Sequence, residues 1–247
     1  MRTPRVFVKT ALDNSKNILL SETQTHYLQN VLRLSLGDSV LLFNGTDGEW
    51  CGSINTFLRK RCTISLCKQV RKQKSNLDLW LLFSPLKGTN MDLLARKATE
   101  LGVGALVPVF TEHTNVKRVN LKRLYSNAIE AAQQCARLTV PKVFEPIKLT
   151  DLIVNWEDDR LLFFCDETGA GVPIIDSLNK HYTTGKFVPC AILTGPEGGF
   201  AKFELDLISA NQNTDAVDLG PLTLRAETAA LAAIACWQAV LGNWRSK

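Results

Sequence analysis

Two short stretches concentrate the residue types that do chemistry. Thr194-Gly195-Pro196-Glu197-Gly198-Gly199 sets a carboxylate among three glycines and a proline, and Asp218-Leu219-Gly220-Pro221 runs through Leu222-Thr223-Leu224 into Arg225-Ala226-Glu227. Both place Gly-Pro where an apolar run ends and a carboxylate before or at a helical pattern. Glycine and proline at such points make sharp turns that expose backbone N–H and C=O groups. A helix start with free N–H groups attracts anions. Glu197 is expected to satisfy that field itself, so a neutral or cationic ligand with hydrogen-bonding edges fits better than a phosphate. Two roles are open to Arg225: a cation that orients a ligand and stabilises developing charge, or a helix-start arginine balanced by Glu227. Either loop alone also reads as a plain turn between strand and helix.

The elements that would position these loops follow from periodicity. Strand-like runs "LDLWLLF", "GALVPVF", "RLLFFC", "CAILT" and "TDAVDLG" alternate with helical runs "NMDLLARKATELG", "NLKRLYSNAIEAAQQCAR", "KFELDLISANQ" and "AETAALAAIACWQAVLG". That alternation predicts a mostly parallel sheet with helices on both faces. Ligands in such sheets bind beyond the carboxyl ends of the strands. The first ~70 residues read differently, as short strands and turns: "RVFV", "SVLLFNG", the turn "TDGEW", "CGSINTFL" and "RCTISLCKQV". One helix interrupts them, with Ser21 and Gln24 in a capping-box pattern before "THYLQNVLRL". This is the outline of a small β-barrel. The polar stretch Lys68–Asn76 is the expected linker, giving domains at 1–72 and 76–247.

Charge is divided along the same line. Of 247 residues, 29 are Lys or Arg and 24 Asp or Glu, a net +5; residues 1–75 hold 12 of the former against 5 of the latter, so the basic excess is entirely N-terminal. It is densest in "RKRC" at 59–62 and "KQVRKQK" at 68–74, a pattern that suits a polyanion partner, with a solvated basic linker as the alternative for 68–74 alone. No apolar run reaches the ~18 residues of a membrane span, and the first residues carry no signal-like stretch, so a cytoplasmic protein is expected. Seven cysteines without a CxxC pair and three scattered histidines give no metal-ligand pattern. GxGxxG, GxxxxGK[ST] and GxSxG are absent, which disfavours dinucleotide, P-loop and serine-hydrolase sites.

At these loops the chain resembles a known family. "LTGPEGGF" with "DLGPLTLRAETAAL" is similar to the two signature loops of the bacterial ribosomal RNA uracil-N3 methyltransferases, the RsmE family of the SPOUT superfamily. "HYLQNVLRLSLGD" (26–38), "KG" followed by "KATELGV" (87–103) and "EAAQQCAR" (130–137) stand in the same order, so the likeness spans nearly the whole chain.

The resemblance implies a PUA-like RNA-binding β-barrel followed by a SPOUT-type α/β domain threaded into a trefoil knot, a rare exception to the unknotted rule. It implies a homodimer that binds S-adenosylmethionine in the knot loops and methylates N3 of a uridine in 16S ribosomal RNA of the small subunit. A methyltransferase for another RNA and a non-catalytic ribosome-assembly factor are the alternatives. By position, the donor contacts fall on Leu193, Thr194, Gly195, Glu197 and Gly198 in the first loop, and on Leu219, Gly220, Leu224 and Ala226 in the second. Asp166-Glu167 stands where the first knot strand ends. Leu222 departs from a commonly basic position. Arg225 is the candidate for orienting the uracil. Glu227 and Glu197 are candidate bases, and a site with no protein base is the third possibility. Lys87, Lys97 and Arg33 are expected to meet RNA, as are Glu130, Gln134 and Arg137, placed on one face of a helix over 120–137 by their i, i+4, i+7 spacing.

Overall fold

The computed structural model describes residues 3–14, 17–58, 61–74, 77–157, 159–182 and 187–245. Arg59 and Lys60 of the basic cluster, and Asn76 at the expected domain boundary, lie outside the described residues. Contacts divide the chain into two units, Met1–Ser75 with Ala132–Val140, and Asn76–Ala131 with Pro141–Lys247.

In the first unit the strands are β1 (Arg5–Phe7), β2 (Asn17–Leu19), β3 (Ser39–Phe43), β4 (Glu49–Leu58) and β5 (Arg61–Arg71). They form one sheet in the order β1-β3-β4-β5-β2, antiparallel except for the parallel β1–β3 pair. Alternation along the strands sends Val40, Leu42, Ile54, Cys62 and Ile64 into a shared core with Ile18 and Leu28. Strand β5 continues through Lys68 and Gln69, which pair with Cys51 and Trp50, to Arg71 opposite Glu49. The first residues of the expected linker are thus strand, because the partner strand extends far enough to pair with them.

Helix α1 (Glu22–His26) begins with the expected capping box: Ser21 Oγ accepts the Gln24 N–H, and Gln24 Oε1 accepts the Ser21 N–H at 3.0 Å. It passes into a π-helical turn over Tyr27–Val31 that buries Leu28. Arg33 follows in left-handed backbone, φ 55°, with its side chain exposed.

A buried ion pair completes this unit. Arg5 Nε donates to Glu49 at 2.6 Å, and the remaining guanidinium N–H groups reach the carbonyls of Ala132, Gln133 and Arg137 at 2.7, 3.0 and 2.8 Å. Nearly every Arg5 donor has an acceptor, which is what lets a buried charge persist. These carbonyls lie at the end of α3 (Leu121–Gln134), which stops earlier than its sequence pattern. Ala136 adopts φ 61°, so the chain turns out of the helix before Arg137. Glu130 and Gln134 lie on the helix; Arg137 does not, and its Nε donates to Thr139 Oγ1 at 2.9 Å. The expected three-residue face is therefore lost at its last member.

The second unit holds β6 (Leu79–Phe83), α2 (Thr89–Glu100), β7 (Ala105–Phe110), most of α3, β8 (Lys142–Val143), β9 (Ile147–Lys148), α4 (Leu149–Val154), β10 (Leu161–Cys165), β11 (Val172–Pro173), α5 (Ile174–Lys180), β12 (Cys190–Thr194), α6 (Lys202–Ser209), β13 (Thr214–Asp218) and α7 (Ala226–Val240). The sheet order is β11-β13-β10-β12-β6-β7-β8, with β9 also on β7, and every pairing is parallel. Strand β12 is buried along its whole length, the signature of a sheet covered on both faces. Leu162, Phe164, Ala191 and Leu193 point into a core with Leu152 of α4 and Ile208 of α6. Helix α7 packs on the sheet at β10 and β12 and on α2 and α5; its Ala230, Ala233, Ile234 and Trp237 are fully buried. Each large apolar side chain so buried contributes about 1.5–3 kcal/mol. Short elements that the sequence pattern left unassigned, β8, β9, α4, β11 and α5, complete the layers.

Candidate functional site

Three loops meet because three strands are neighbours. β13, β10 and β12 lie side by side and parallel, so their carboxyl ends, and the segments that follow each, open on one edge of the sheet. The segments 165–169, 194–199 and 217–226, with Ala229 of α7, line a cavity of about 920 Å³. That lies within the range of small-molecule sites.

The first glycine turn is held by the neighbouring Phe200 and by two groups far away in sequence, Glu167 and His113. Phe200 packs its ring where a Cβ on Gly195 would come within 2.9 Å. Gly199 adopts φ 72°, and a Cβ there would lie 1.9 Å from Glu167 Oε1. That oxygen accepts the Phe200 N–H at 2.9 Å, tying the loop after β10 to the loop after β12. His113 Nδ1 sits 3.0 and 3.1 Å from the carbonyls of Gly198 and Gly199. Both partners are acceptors, so Nδ1 carries the proton and donates. The sequence pattern held no signal for His113, since its partners lie about 85 positions away.

The start of α6 is satisfied by Glu204, not by Glu197. Glu204 is buried, and its carboxylate accepts the N–H groups of Ala201 and Glu112, both at 2.9 Å. It is the residue at the third helical position, where a carboxylate reaches back to the cap. Glu197 stays exposed at the cavity. The expectation that Glu197 neutralises the helix field is corrected accordingly.

The other expected residues divide as follows. Thr194, Gly195, Glu197, Gly198, Leu219, Gly220, Leu224, Arg225 and Ala226 all line the cavity. Leu193 does not: it is 0% exposed, its side chain in the core shared with α4 and α6, because β12 is covered on both faces and every side chain along it is buried. Glu227 does not either. It is buried and accepts a hydrogen bond from Asn90 Nδ2 at 3.1 Å. One residue along a helix is about 100° of rotation, so while Ala226 faces the cavity, Glu227 faces α2. Glu227 thus lies off the cavity lining, and no Arg225–Glu227 pair forms among the described residues. Lys87 and Lys97 are exposed, the latter in a 2.8 Å ion pair with Glu100. Glu130 and Gln134 are exposed on α3. Leu222 is 76% exposed on the loop after β13.

Electrostatically the cavity is acidic. Among the described residues, Asp166, Glu167, Glu197 and Asp218 line it against the single guanidinium of Arg225. Asp166 is occupied locally, accepting the Thr168 N–H and Oγ1–H at 2.9 and 2.8 Å; Asp218 accepts the Gly220 N–H at 3.1 Å. Partial desolvation raises the Glu167 carboxyl above its ordinary value, with the neighbouring Asp166 acting the same way and the Phe200 N–H and His113 against it. Turn backbone groups and carboxylates together suit a ligand with a positive centre and hydrogen-bonding edges. Among the described residues no group of three or more His, Cys, Asp or Glu could hold a metal ion.

Residues 73–238 match the description of an RNA methyltransferase domain, and residues 20–66 that of an RNA methyltransferase PUA domain. The ribosomal RNA small subunit methyltransferase E of Rickettsia conorii is 34% identical over 95% of this chain and 95% of its own. Its Buchnera aphidicola (Acyrthosiphon pisum) counterpart is 29% identical over 99% and 96%. The solved structure of a ribosomal RNA small subunit methyltransferase E from Neisseria gonorrhoeae, bound to S-adenosyl methionine, is 26% identical and covers 98% of this chain and 100% of that one with a TM-score of 0.85. The fold is a PUA domain followed by an α/β domain of the SPOUT class, as the resemblance implied. The chain belongs to the ribosomal RNA small subunit methyltransferase E family of RNA methyltransferases.

Proposed function

We propose that this chain transfers the methyl group of S-adenosylmethionine to N3 of a uridine in 16S ribosomal RNA of the small ribosomal subunit. The observation that carries the reading is the acidic, glycine-built cavity at the carboxyl ends of β10, β12 and β13, in a chain of this family. The residues fit such a donor: Thr194, Gly195, Gly198, Leu219, Gly220 and Leu224 offer turn backbone and apolar edges, and four carboxylates suit its charge. S-adenosylmethionine, when bound, supplies a methyl group made electrophilic by its sulfonium.

The remaining chemistry falls to the protein and the RNA. N3–H of uracil is a weakly acidic imide, and the nitrogen attacks only once that proton has left. Negative charge then spreads to the flanking carbonyl oxygens, and a fixed cation beside them lowers the barrier. Arg225 is that cation: it lines the cavity, its side chain is exposed, and it has no ion-pair partner among the described residues. With Glu227 bound to Asn90, the site works by holding the uracil anion with Arg225, without a Glu227 base. The target must be unpaired, because N3 lies on the Watson–Crick edge.

The basic unit near the N-terminus is assigned to RNA binding, with Arg33 as a phosphate contact and Lys87, Lys97, Glu130, Gln134 and Arg137 as further contacts, in domains 1–72 and 76–247. The protein acts as a homodimer in the cytoplasm, where ribosomal RNA is modified; no helix among the described residues is long and apolar enough to cross a membrane. The test is methyl transfer from labelled S-adenosylmethionine to small subunits from a strain lacking this gene, with mass spectrometry of the digested RNA. N3-methyluridine at one position is the expected product. Donor binding without any product on subunits moves the target to another RNA.

A further inference from the structure

We infer that Glu167 is the residue that makes the cavity prefer the charged methyl donor over its neutral demethylated product, so that loss of the sulfonium charge weakens the product's hold on the site. The inference rests on the donor-binding reading above and adds to it a residue and a direction of selectivity. The donor carries a positive sulfonium that S-adenosylhomocysteine lacks, and the two are otherwise closely alike. Only a charge in the site can separate them strongly.

Of the four carboxylates in the lining, Glu167 is the one so placed. Asp166 spends both oxygens on Thr168, and Asp218 is bonded only within its own loop, one oxygen to the Gly220 N–H, so neither is fixed from a second loop as Glu167 is. Glu197, exposed as Glu167 is, has no hydrogen-bond partner among the described residues to fix it. Glu167 is anchored: Oε1 accepts the Phe200 N–H at 2.9 Å and fills the space that glycine leaves at position 199, where a Cβ would come within 1.9 Å. Its second oxygen has no partner among the described residues. Glu167 is exposed at the cavity, so solvent screens much of its charge; the desolvation that remains raises its carboxyl, and a cation in the cavity offsets that cost. Asp166 lies beside it with the same sign, His113 faces it across the glycine turn, and Arg225 is the cavity's only cation among the described residues.

The experiment is titration calorimetry of the full chain with S-adenosylmethionine and, separately, with S-adenosylhomocysteine, for the parent and for Glu167→Gln. Glutamine keeps a carbonyl oxygen for the Phe200 N–H and removes only the charge. Expected is a loss of about fivefold in donor affinity, the upper end for a solvent-accessible charge pair, with product affinity changed by less than about twofold. A salt series on the parent gives a second reading that needs no variant: the donor-to-product affinity ratio falls as salt is raised. Equal losses for both ligands would make Glu167 a loop anchor only, and an unchanged ratio in variant and salt series alike would also overturn the inference. If the parent binds neither ligand, the donor-site reading itself fails and this inference goes with it.

Discussion

The Asn90 side-chain amide donates to the Glu227 carboxylate at 3.1 Å, and this one contact separates two residues that stand two apart in sequence. Glu227 is tied to the start of α2 and buried. Arg225, immediately before α7, is left facing the cavity as the only cation of its lining among the described residues. α7 begins without a side-chain cap at Arg225, and the Glu227 carboxylate in its first turn is favoured by the positive end of the α7 dipole.

The two residues should therefore respond differently to substitution. Arg225→Ala is expected to cut methylation by about 10²–10³-fold, the usual effect of removing a donor from a developing oxyanion, while donor affinity stays within a few-fold. Glu227→Gln keeps an oxygen for Asn90 and should leave turnover within about twofold. Single-turnover rates with calorimetric donor affinities check both. A large rate loss in Glu227→Gln with normal folding would restore it as a base.

Gly199 supports a second prediction. Its φ of 72° and the 1.9 Å separation between an added Cβ and Glu167 Oε1 impose two distinct penalties on alanine. Left-handed backbone costs an alanine about 1–2 kcal/mol, and the clash must be relieved by moving Glu167 and the loop it anchors. Gly199→Ala should weaken donor binding by more than about tenfold. In a Glu167→Ala background the same change should cost much less, because the steric part has gone. Equal effects in both backgrounds, read from a double-mutant cycle, would refute the coupling.

How much of this was legible in the sequence depends on the range over which each feature is set. The Ser21–Gln24 capping box, the strand runs at 79–83, 105–110, 161–165, 190–194 and 214–218, and the two Gly-Pro loops are local patterns, and the structure contains them. Spacing on a helix carries over only while the helix lasts: Ala136 in left-handed backbone ended the face that would have joined Arg137 to Glu130. Glu197 and Glu204 are equally plausible caps by composition, and only the third helical position reaches back to Ala201. Leu193 belongs to the signature stretch, yet it stands in a strand covered on both faces, and its side chain lies in the core. His113 and Asn90 act through partners about 85 and 137 positions away, a distance over which no periodicity operates.

Acid should expose a different part of the second unit. The Asp92 carboxylate is buried at the start of α2, where it accepts Arg123 Nε at 2.8 Å and Asn127 Nδ2 at 2.7 Å. The Arg123 hydrogen bonds hold its carboxyl below the usual range, with burial opposing and Asn127 assisting. A carboxyl whose folded pKa lies below its unfolded value of about 3.9 stabilises fully above that value and loses the contribution as pH falls through the folded one. Asp92→Asn should therefore lower the urea midpoint by a constant amount between about pH 5 and 7, and the gap should narrow below about pH 4. A gap that stays the same in acid would mean the loss is one of packing.

Arg33 combines strain with exposure, and that combination can be separated by experiment. Its φ of 55° is unusual for a residue with a side chain. The flanking Leu32 and Leu34 pack against the core of the first unit, and Leu34 N–H donates to Leu28 O at 3.0 Å. The neighbours thus fix the backbone and turn the arginine outward. Glycine at this position would relieve about 1 kcal/mol of strain, so Arg33→Gly is expected to raise the melting temperature. If the side chain neutralises one RNA phosphate, the same variant loses about 0.7–0.9 from the slope of log affinity against log salt, as does Arg33→Ala, whereas Arg33→Lys keeps it. A more stable protein that binds RNA less tightly would show strain retained for a contact. A more stable protein with an unchanged slope would remove Arg33 from the RNA surface and leave its backbone as a feature of the turn alone.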